Sequence, residues 1–375
     1  MLTETPSHKA QEAAGQSGIA ELCSLAAAGL AQMYDEEQKL FCRTYAQTEA
    51  GMARQGGSAR YTLMSLLGLH RYELTGAKPP VTIAAVLDNM MEDTRWVGSA
   101  GDLGLLLWAC AEILPRNLPE VYRRVRANDA LARFRDGRLG FTMEVAWHLT
   151  GLVACYEAGH ADLPGLREQL AAARRILVAN CGAGGIYGHL NTRGSFAGYL
   201  RGSIGSFADQ VYPTIAFARL ARALNDLDAL EMATRTASTM CALQGAFGEW
   251  SWLYSSRSAR VINRYPVYSV HQHAMGPMML FAAGDANRID YSAAIGRSLA
   301  WISGNNELRR NFIEPSLALV WRSIYLQPGS RLIDTALRFL RMRTGAANAP
   351  LKVRFECRPY ELGWLLYAFA GKKIS

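Results

Sequence analysis

Three side chains able to move protons, Glu144, Asp209 and His271, each stand near the beginning of a long apolar stretch of the sequence. A carboxyl group can protonate a leaving oxygen or accept a proton from water, and an imidazole, with an ordinary pKa close to neutrality, can do either. At the beginnings of the same and similar stretches stand Arg60, Tyr61, Asp102, Trp147, Gln210, Tyr212 and His273, followed by Trp321, Arg322, Glu356, Arg358 and Tyr360. Carboxylates on facing walls with aromatic platforms between them are what sugar chemistry needs: an acid, a base or nucleophile, and flat apolar faces against which a ring can stack. In this scheme Glu144, Asp209 and His271 are the catalytic groups and the other residues bind substrate, with Arg322 and Arg358 holding a carboxylate or phosphate. Helix capping is the competing explanation for each acid, because Asp and Glu complement the first turn of a helix. It does not explain His271, His273 and Arg358, since cations are disfavoured at that end.

No metal or cofactor is implied. His271 and His273 are two residues apart and would point about 200° apart on a helix, so they could not share one ion. The seven cysteines are odd in number, widely spaced and mostly inside apolar stretches, with no CxxC pair, and read as reduced core thiols.

These residues can act together only if the fold brings them together. Helix-length segments run almost end to end, separated by short clusters of Gly, Pro, Asn and Asp, with almost no convincing alternating strand, so the chain is expected to be all-α. Segments 81–92, 165–180, 227–243, 291–303 and 331–342 are amphipathic with a charged face. Alternating with them, segments 58–70, 101–112, 141–156, 207–223, 270–282, 316–325 and 356–369 are apolar nearly all round and carry their polar residues at the beginning. The pattern predicts an inner and an outer ring of helices, with inner segments starting roughly 40 to 65 residues apart, about one helical hairpin each. Six or seven hairpins closing into an α/α toroid would bury every inner helix, and the inner helices would aim their polar starts at one mouth of a central cavity. An open α-solenoid is the alternative. Residues 1–18 are expected to be disordered or extended, and 19–375 to form one domain.

Half the residues are hydrophobic and 19% are charged, which fits a chain that buries many helix faces. The net charge of +8 is dispersed, as in Arg123, Arg124 and Arg126 or Arg309 and Arg310, rather than gathered into a basic stripe, so no nucleic-acid partner is expected. It would suit an anionic glycan. The apolar runs at 103–114 and 274–283 fall short of a membrane span, and residues 1–18 lack the apolar centre of a signal peptide, so the cytoplasm is the expected location. Two loops stand out: 180–205 is glycine-rich and carries Tyr187, His189, Asn191, Tyr199 and Arg201, and 244–266 carries Trp250, Trp252, Tyr254 and Tyr265.

The run Gln244-Gly-Ala-Phe-Gly-Glu-Trp250 reads Q-x-x-x-G-x-W and resembles the QW motif of terpenoid cyclases and related prenyltransferase-like α/α toroid proteins. The resemblance implies that the Gln and Trp tie the end of an outer helix to the turn after it. Residues 182–188 look like a partial second copy. The D-x-D-D and D-D-x-x-D acid motifs of those cyclases are absent, and Asp88-Asn-Met-Met-Glu-Asp93 matches neither. The architecture is also similar to that of six-hairpin glycosidases, uronyl hydrolases, sugar epimerases and polysaccharide lyases. Three readings follow. One is a carbohydrate-active enzyme of glycosidase, epimerase or lyase type on an anionic sugar or oligosaccharide. The second is a terpenoid cyclase-like isoprenoid enzyme with a non-standard acid, and the third a non-catalytic binding toroid. An open polar mouth with several acids fits the first, a closed apolar cavity with one buried acid the second.

Overall fold

The computed structural model describes residues 8–125, 141–189, 202–327 and 350–372, of which 8–17 as backbone only. Within them lie twelve α-helices: α1 (His8–Met33), α2 (Ala59–Glu73), α3 (Ile83–Glu92), α4 (Ala100–Ile113), α5 (Leu118–Arg124), α6 (Thr142–Glu157), α7 (Leu166–Asn180), α8 (Ala208–Leu224), α9 (Leu227–Ala242), α10 (Gly276–Asn287), α11 (Ser292–Ile302) and α12 (Pro359–Phe369). They alternate in kind. Helix α3 buries Ile83, Val86, Leu87, Met90 and Met91, the single stripe of an outer helix, whereas α4 is buried without a break from Leu103 to Ala111.

The even-numbered helices form the inner ring, in the order α2, α4, α6, α8, α10, α12 and back to α2. The ring is closed, so the solenoid alternative fails and the α/α toroid stands. Two seams are unusually tight. A methyl group on Gly68 of α2 would lie 1.9 Å from the carbonyl oxygen of Gly363 on α12, and one on Gly104 of α4 would lie 2.4 Å from the backbone of His148 on α6. Only glycine lets these backbones approach so closely.

Among the described residues the inner helices number six. Segment 316–325, expected as an inner helix, is instead a single 3₁₀ turn (Pro315–Leu317) followed by two short strands. Its apolar run pairs with distant backbone, Ile324 opposite Val353 and Val267, and those long-range partners override helical periodicity. Helix α1 overlaps the stretch 1–18 expected to be disordered or extended, and it supplies an outer helix that packs on α12. The outer helix expected at 331–342 lies outside the described residues, as do Arg126, Asn191, Tyr199 and Arg201.

Strands are more numerous than the sequence indicates. They are β1 (Tyr34–Asp35), β2 (Leu40–Thr48), β3 (Gly51–Gly57), β4 (Ile204–Ser206), β5 (Leu253–Ser255), β6 (Arg260–Asn263), β7 (Val267–Tyr268), β8 (Ile313–Glu314), β9 (Leu319–Val320), β10 (Ser323–Leu326), β11 (Leu351–Arg354) and β12 (Glu356–Cys357). They form four small antiparallel sheets: β1-β2-β12 with β3 on β2, β4-β5-β6, β7-β10-β11 and β8-β9. All of them lie in segments that lead from an outer helix to the next inner helix. The opposite connections are short. Helix α8 ends at Asn225 in the left-handed conformation, φ 52°, and Asp226 at once caps α9 by accepting from the Ala229 N–H at 2.9 Å. The chain is therefore elaborated around one end of the barrel, where the inner helices begin.

The bore below that end is filled. Trp108 of α4, Tyr212 of α8 and Trp364 of α12 come from alternate inner helices and meet on the axis: the Trp108 and Trp364 rings stack at 5.5 Å, and the Trp364 indole donates to the Tyr212 hydroxyl at 2.9 Å. Under them, in the last turns, Glu112 accepts from the Trp108 indole at 2.7 Å and pairs with Arg219 at 3.0 Å and Arg71 at 3.5 Å, while Arg219 also holds Glu157. Burial pushes the Glu112 carboxyl up, but the two arginines overcome it and hold the group below the usual carboxylate range. Among the described residues, the starts of the inner helices thus surround a bowl above this filled layer, at the end of the barrel where the strands lie. No helix among the described residues is long and apolar enough to cross a membrane.

Candidate active site

The register of the first helical turns decides which side chains line the bowl. Ser58, Ser99 and Ser206 use their hydroxyls to accept from the backbone N–H of Tyr61 (3.2 Å), Asp102 (3.1 Å) and Asp209 (3.3 Å). Glu144 stands three residues past Phe141, the residue that caps α6. His271 opens a π-turn, His271–Met275, that leads into α10, and Tyr360 lies in the first turn of α12. Six consecutive inner helices therefore present Tyr61, Asp102, Glu144, Asp209, His271 and Tyr360 at nearly the same level.

On one side the Arg60 guanidinium joins two carboxylates. Its Nη2 lies 2.7 Å from Asp102 Oδ1 and 3.6 Å from Glu144 Oε1, and the guanidinium sits 5.2 Å from the Trp147 ring centre. Asp102 also caps its own helix, with Oδ2 accepting from the Ser99 hydroxyl at 3.1 Å. Trp147 meets Tyr212 edge to face at 5.0 Å. Gly101 is the reason Glu144 can pack onto α4, since a methyl group there would lie 2.9 Å from Glu144 Cγ.

On the opposite side lies a second charged cluster. Arg322 pairs with fully buried Glu361 and, at 3.1 Å, with Glu356. Arg358 shares Glu356 at 3.5 Å and donates to the Tyr61 hydroxyl at 3.0 Å. Tyr61 and Tyr360 pack with their rings tilted at 38° and 4.7 Å apart, completing the wall between α12 and α2. Burial works against the Arg322 charge, but Glu361 first, then the neighbouring tyrosines and Glu356, hold its pKa above the ordinary value. Arg322 therefore serves the protein's own acids, and the substrate-carboxylate role expected of it has no spare charge to rest on.

Between these clusters, Asp209 is completely buried. Its Oδ2 accepts from the Ser206 N–H (2.8 Å), the Ser206 hydroxyl (2.7 Å) and His189 Nδ1 (2.7 Å), and its Oδ1 has no hydrogen-bond partner. His189, on the glycine-rich loop, rests against Phe141 at 4.9 Å. It was not among the expected site residues. The available signals were its position in that loop and the repetition of Ser-x-x-Asp, at 99–102 and 206–209, ahead of two inner helices.

Four other expected site residues are placed differently. His271 is 3% exposed and packed among Phe207 (4.5 Å), Tyr268 (5.2 Å) and Trp252 (6.1 Å). Burial, with Arg322 close by, pushes its imidazole down to about 3, so near neutrality it carries no proton to donate as a general acid. His273 is fully buried, neither ring nitrogen has a hydrogen-bond partner, and burial lowers it likewise to about 3. Trp321 is buried against the edge of Phe355 and follows strand β9 rather than lining an inner helix. Gln210 is fully committed to backbone: its Oε1 accepts from the Tyr187 N–H at 2.8 Å, and its Nε2 donates to the carbonyls of Tyr187 (3.0 Å) and Ser206 (2.9 Å).

The next hairpin repeats that clasp. Gln272 accepts from the Trp250 N–H at 3.0 Å and donates to the Tyr268 carbonyl at 2.9 Å. Tyr187 thus takes the place that Trp250 holds in the next hairpin. In the Gln244–Trp250 run itself, Gln244 donates to the carbonyls of Gly248 and Ala294, both at 2.9 Å, and accepts from Arg297 at 2.7 Å, while the Trp250 ring stacks on Phe207 at 5.5 Å. Among the described residues no group of three His, Cys, Asp or Glu is arranged to hold a metal ion.

No protein-family model matches the sequence, and no curated protein matches it. Solved structures do match, at low identity. A possible member of the GH105 family from Salmonella enterica serovar Paratyphi A is 12% identical over 99% of this chain and 95% of its own, with a TM-score of 0.60. An unsaturated glucuronyl hydrolase from Bacillus sp. GL1, described as responsible for the degradation of glycosaminoglycan, is 15% identical over 94% of both chains, with a TM-score of 0.60. An alpha-1,6-mannanase of Salegentibacter, solved as an inactive variant with alpha-1,6-mannotetrose, is 11% identical over 94% of this chain and 98% of its own, with a TM-score of 0.58. What these likenesses share with the ring described above is architecture, and on it the chain is an α/α toroid of six helical hairpins along nearly its whole length.

Proposed function

We propose that the protein is a carbohydrate-active enzyme of glycosidase type, which binds a sugar or short oligosaccharide in the bowl and uses Glu144 as an acid/base group beside Asp102. The observation that carries the reading is the convergence of Asp102, Glu144 and Asp209 from three consecutive inner helices on one mouth walled by Tyr61, Trp147 and Tyr360. Because Asp102 and Glu144 lie 2.7 and 3.6 Å from the same Arg60 Nη2, their nearer oxygens are close neighbours, and these distances admit the separation of about 5 to 5.5 Å at which paired carboxylates work in retaining glycosidases. The names of the matching structures, glucuronyl hydrolase and mannanase, support the same chemistry.

The substrate expected from the net charge was anionic. Among the described residues of the bowl, however, Arg60, Arg322 and Arg358 are each paired with an acid, which supports recognition through hydroxyls and ring faces instead. The filled bore below Tyr212 and Trp364 leaves no enclosed apolar chamber there, which weighs against the isoprenoid reading. All seven cysteines are free, in keeping with a reducing compartment such as the cytoplasm.

The test is turnover of a glycan panel, including unsaturated glucuronyl-terminated oligosaccharides and alpha-1,6-mannooligosaccharides, followed by mass spectrometry. Wild type should convert at least one member, and Glu144→Gln should lose about 100- to 10,000-fold in kcat with its melting temperature kept. A chain that converts none, or a Glu144→Gln variant as active as wild type, would refute the proposal.

A further inference from the structure

The pair formed by Asp209 and His189 is built like a proton-transfer device, and three independent features fix it. The first is the hydrogen bond from Nδ1 to a carboxylate that is 0% exposed, while the His189 side chain is 37% exposed. A buried carboxylate that takes the Nδ1 proton selects one tautomer and leaves Nε2 as the basic nitrogen. The second is the backbone of His189 itself, whose N–H donates to the Ile204 carbonyl at 2.9 Å and whose carbonyl accepts from the Thr142 N–H at 3.1 Å. That ties the imidazole to the first turn of α6, two residues before Glu144. The third is Gln210, next to Asp209 in sequence, which grips both the N–H and the carbonyl of Tyr187, two residues before His189.

The neighbouring hairpin serves as an internal control. There Gln272 accepts from the Trp250 N–H as Gln210 does from that of Tyr187, and Trp252, two residues on, lies parallel to His271 at 6.1 Å and 7°. The scaffold is the same, but the pair it holds is an aromatic platform over an uncharged ring. Only the hairpin of α8 uses it to join a carboxylate to a solvent-accessible imidazole.

We propose that His189 is a catalytic residue of the bowl, with Asp209 as the carboxylate that orients it and Gln210 as a positioning residue; this rests on the carbohydrate reading above. In the reaction, Glu144 gives its proton to the departing glycosidic oxygen as the bond from that oxygen to the anomeric carbon breaks, and His189 Nε2 takes the proton of the water or sugar hydroxyl whose oxygen forms the new bond to that carbon, with Asp209 stabilising the imidazolium. The imidazolium then loses that proton to solvent and Glu144 regains one from it, which returns both groups to their starting forms.

Two measurements test this. In the ¹H–¹⁵N spectrum of the imidazoles, wild type should show a far-downfield Nδ1–H resonance that vanishes in His189→Ala and in Asp209→Asn. Its absence from wild type overturns the proposal whether or not a glycan is turned over. On a glycan that wild type converts, His189→Ala should lose about 100- to 10,000-fold in kcat, added imidazole should restore part of it, and Gln210→Met should lower kcat with KM held. Conversion by His189→Ala at the wild-type rate overturns the role of His189 and leaves the carbohydrate reading standing, whereas failure of wild type on every glycan overturns both.

Discussion

Acidification to pH 5 should destabilise this protein steeply, because three imidazoles are locked in its wall without their protons. His148 on α6 is completely buried, its only hydrogen-bond partner among the described residues a 3.4 Å contact to Gln169, and burial pushes it from 6.5 down to about 4. His271 and His273, in the π-turn before α10, are pushed by burial to about 3. In the unfolded chain each returns to its ordinary value, so below about pH 6.5 the unfolded state binds protons that the folded state refuses, and stability falls as the pH drops. Each ring costs about 1.4 kcal/mol per pH unit through that window, or about 2 kcal/mol at pH 5, and the three together about 6 kcal/mol. That is comparable to the whole stability of many domains. Buried Glu249 acts in the opposite sense, since burial raises its carboxyl above the usual range and the folded state then holds a proton more firmly. The histidine contribution is therefore best isolated by substitution. Urea unfolding at pH 7.5 and pH 5 should show a large drop in wild type, and His148→Asn, His271→Gln and His273→Gln should each remove about a third of it. An equal drop in the triple variant, or none in wild type, would show that these rings do not carry the effect.

Two further outcomes follow from the packing and charge geometry. Gly104→Ala should cost about 1 to 3 kcal/mol by forcing α4 away from α6, read as a lower thermal midpoint; an unchanged midpoint would mean the seam is looser than the 2.4 Å approach indicates. Arg322→Met should cost about 3 to 5 kcal/mol by leaving the Glu361 carboxylate buried without its partner, and adding Glu361→Gln should recover most of that loss. A cost below about 1 kcal/mol in chemical unfolding would mean that the arginine is not committed to Glu361.

The ring was legible in the sequence because an inner helix must be apolar on nearly every side, a pattern that stands apart from the single stripe of α3 or α9. The convergence of Asp102, Glu144 and Asp209 was legible for the same reason: their place at the start of such segments fixes which end of the barrel they reach. What escaped were features set by partners far away in the chain. Residues 319–326 are apolar enough for a helix, and pairing of 319–320 with 313–314 and of 323–326 with 351–354 and 267–268 makes them strand instead. Gln210 reads as a binding residue until its backbone partners at Tyr187 are known. The histidines changed places for a physical reason. His271 had the suggestive position but lies in an aromatic cage that strips its charge, and His189, on a loop with no periodicity to read, has the carboxylate.

The seam at Gly68 and Gly363 also bears on biosynthesis. Among the described residues, helix α12 follows the eleven other helices off the ribosome, and it fills the gap between α10 and α2 while covering α1. Until it emerges, the nascent chain is a horseshoe with two bare flanks, those of α2 and α10, awaiting the same plug. A chain cut before α12 would keep both flanks uncovered and become a substrate for chaperones and proteases.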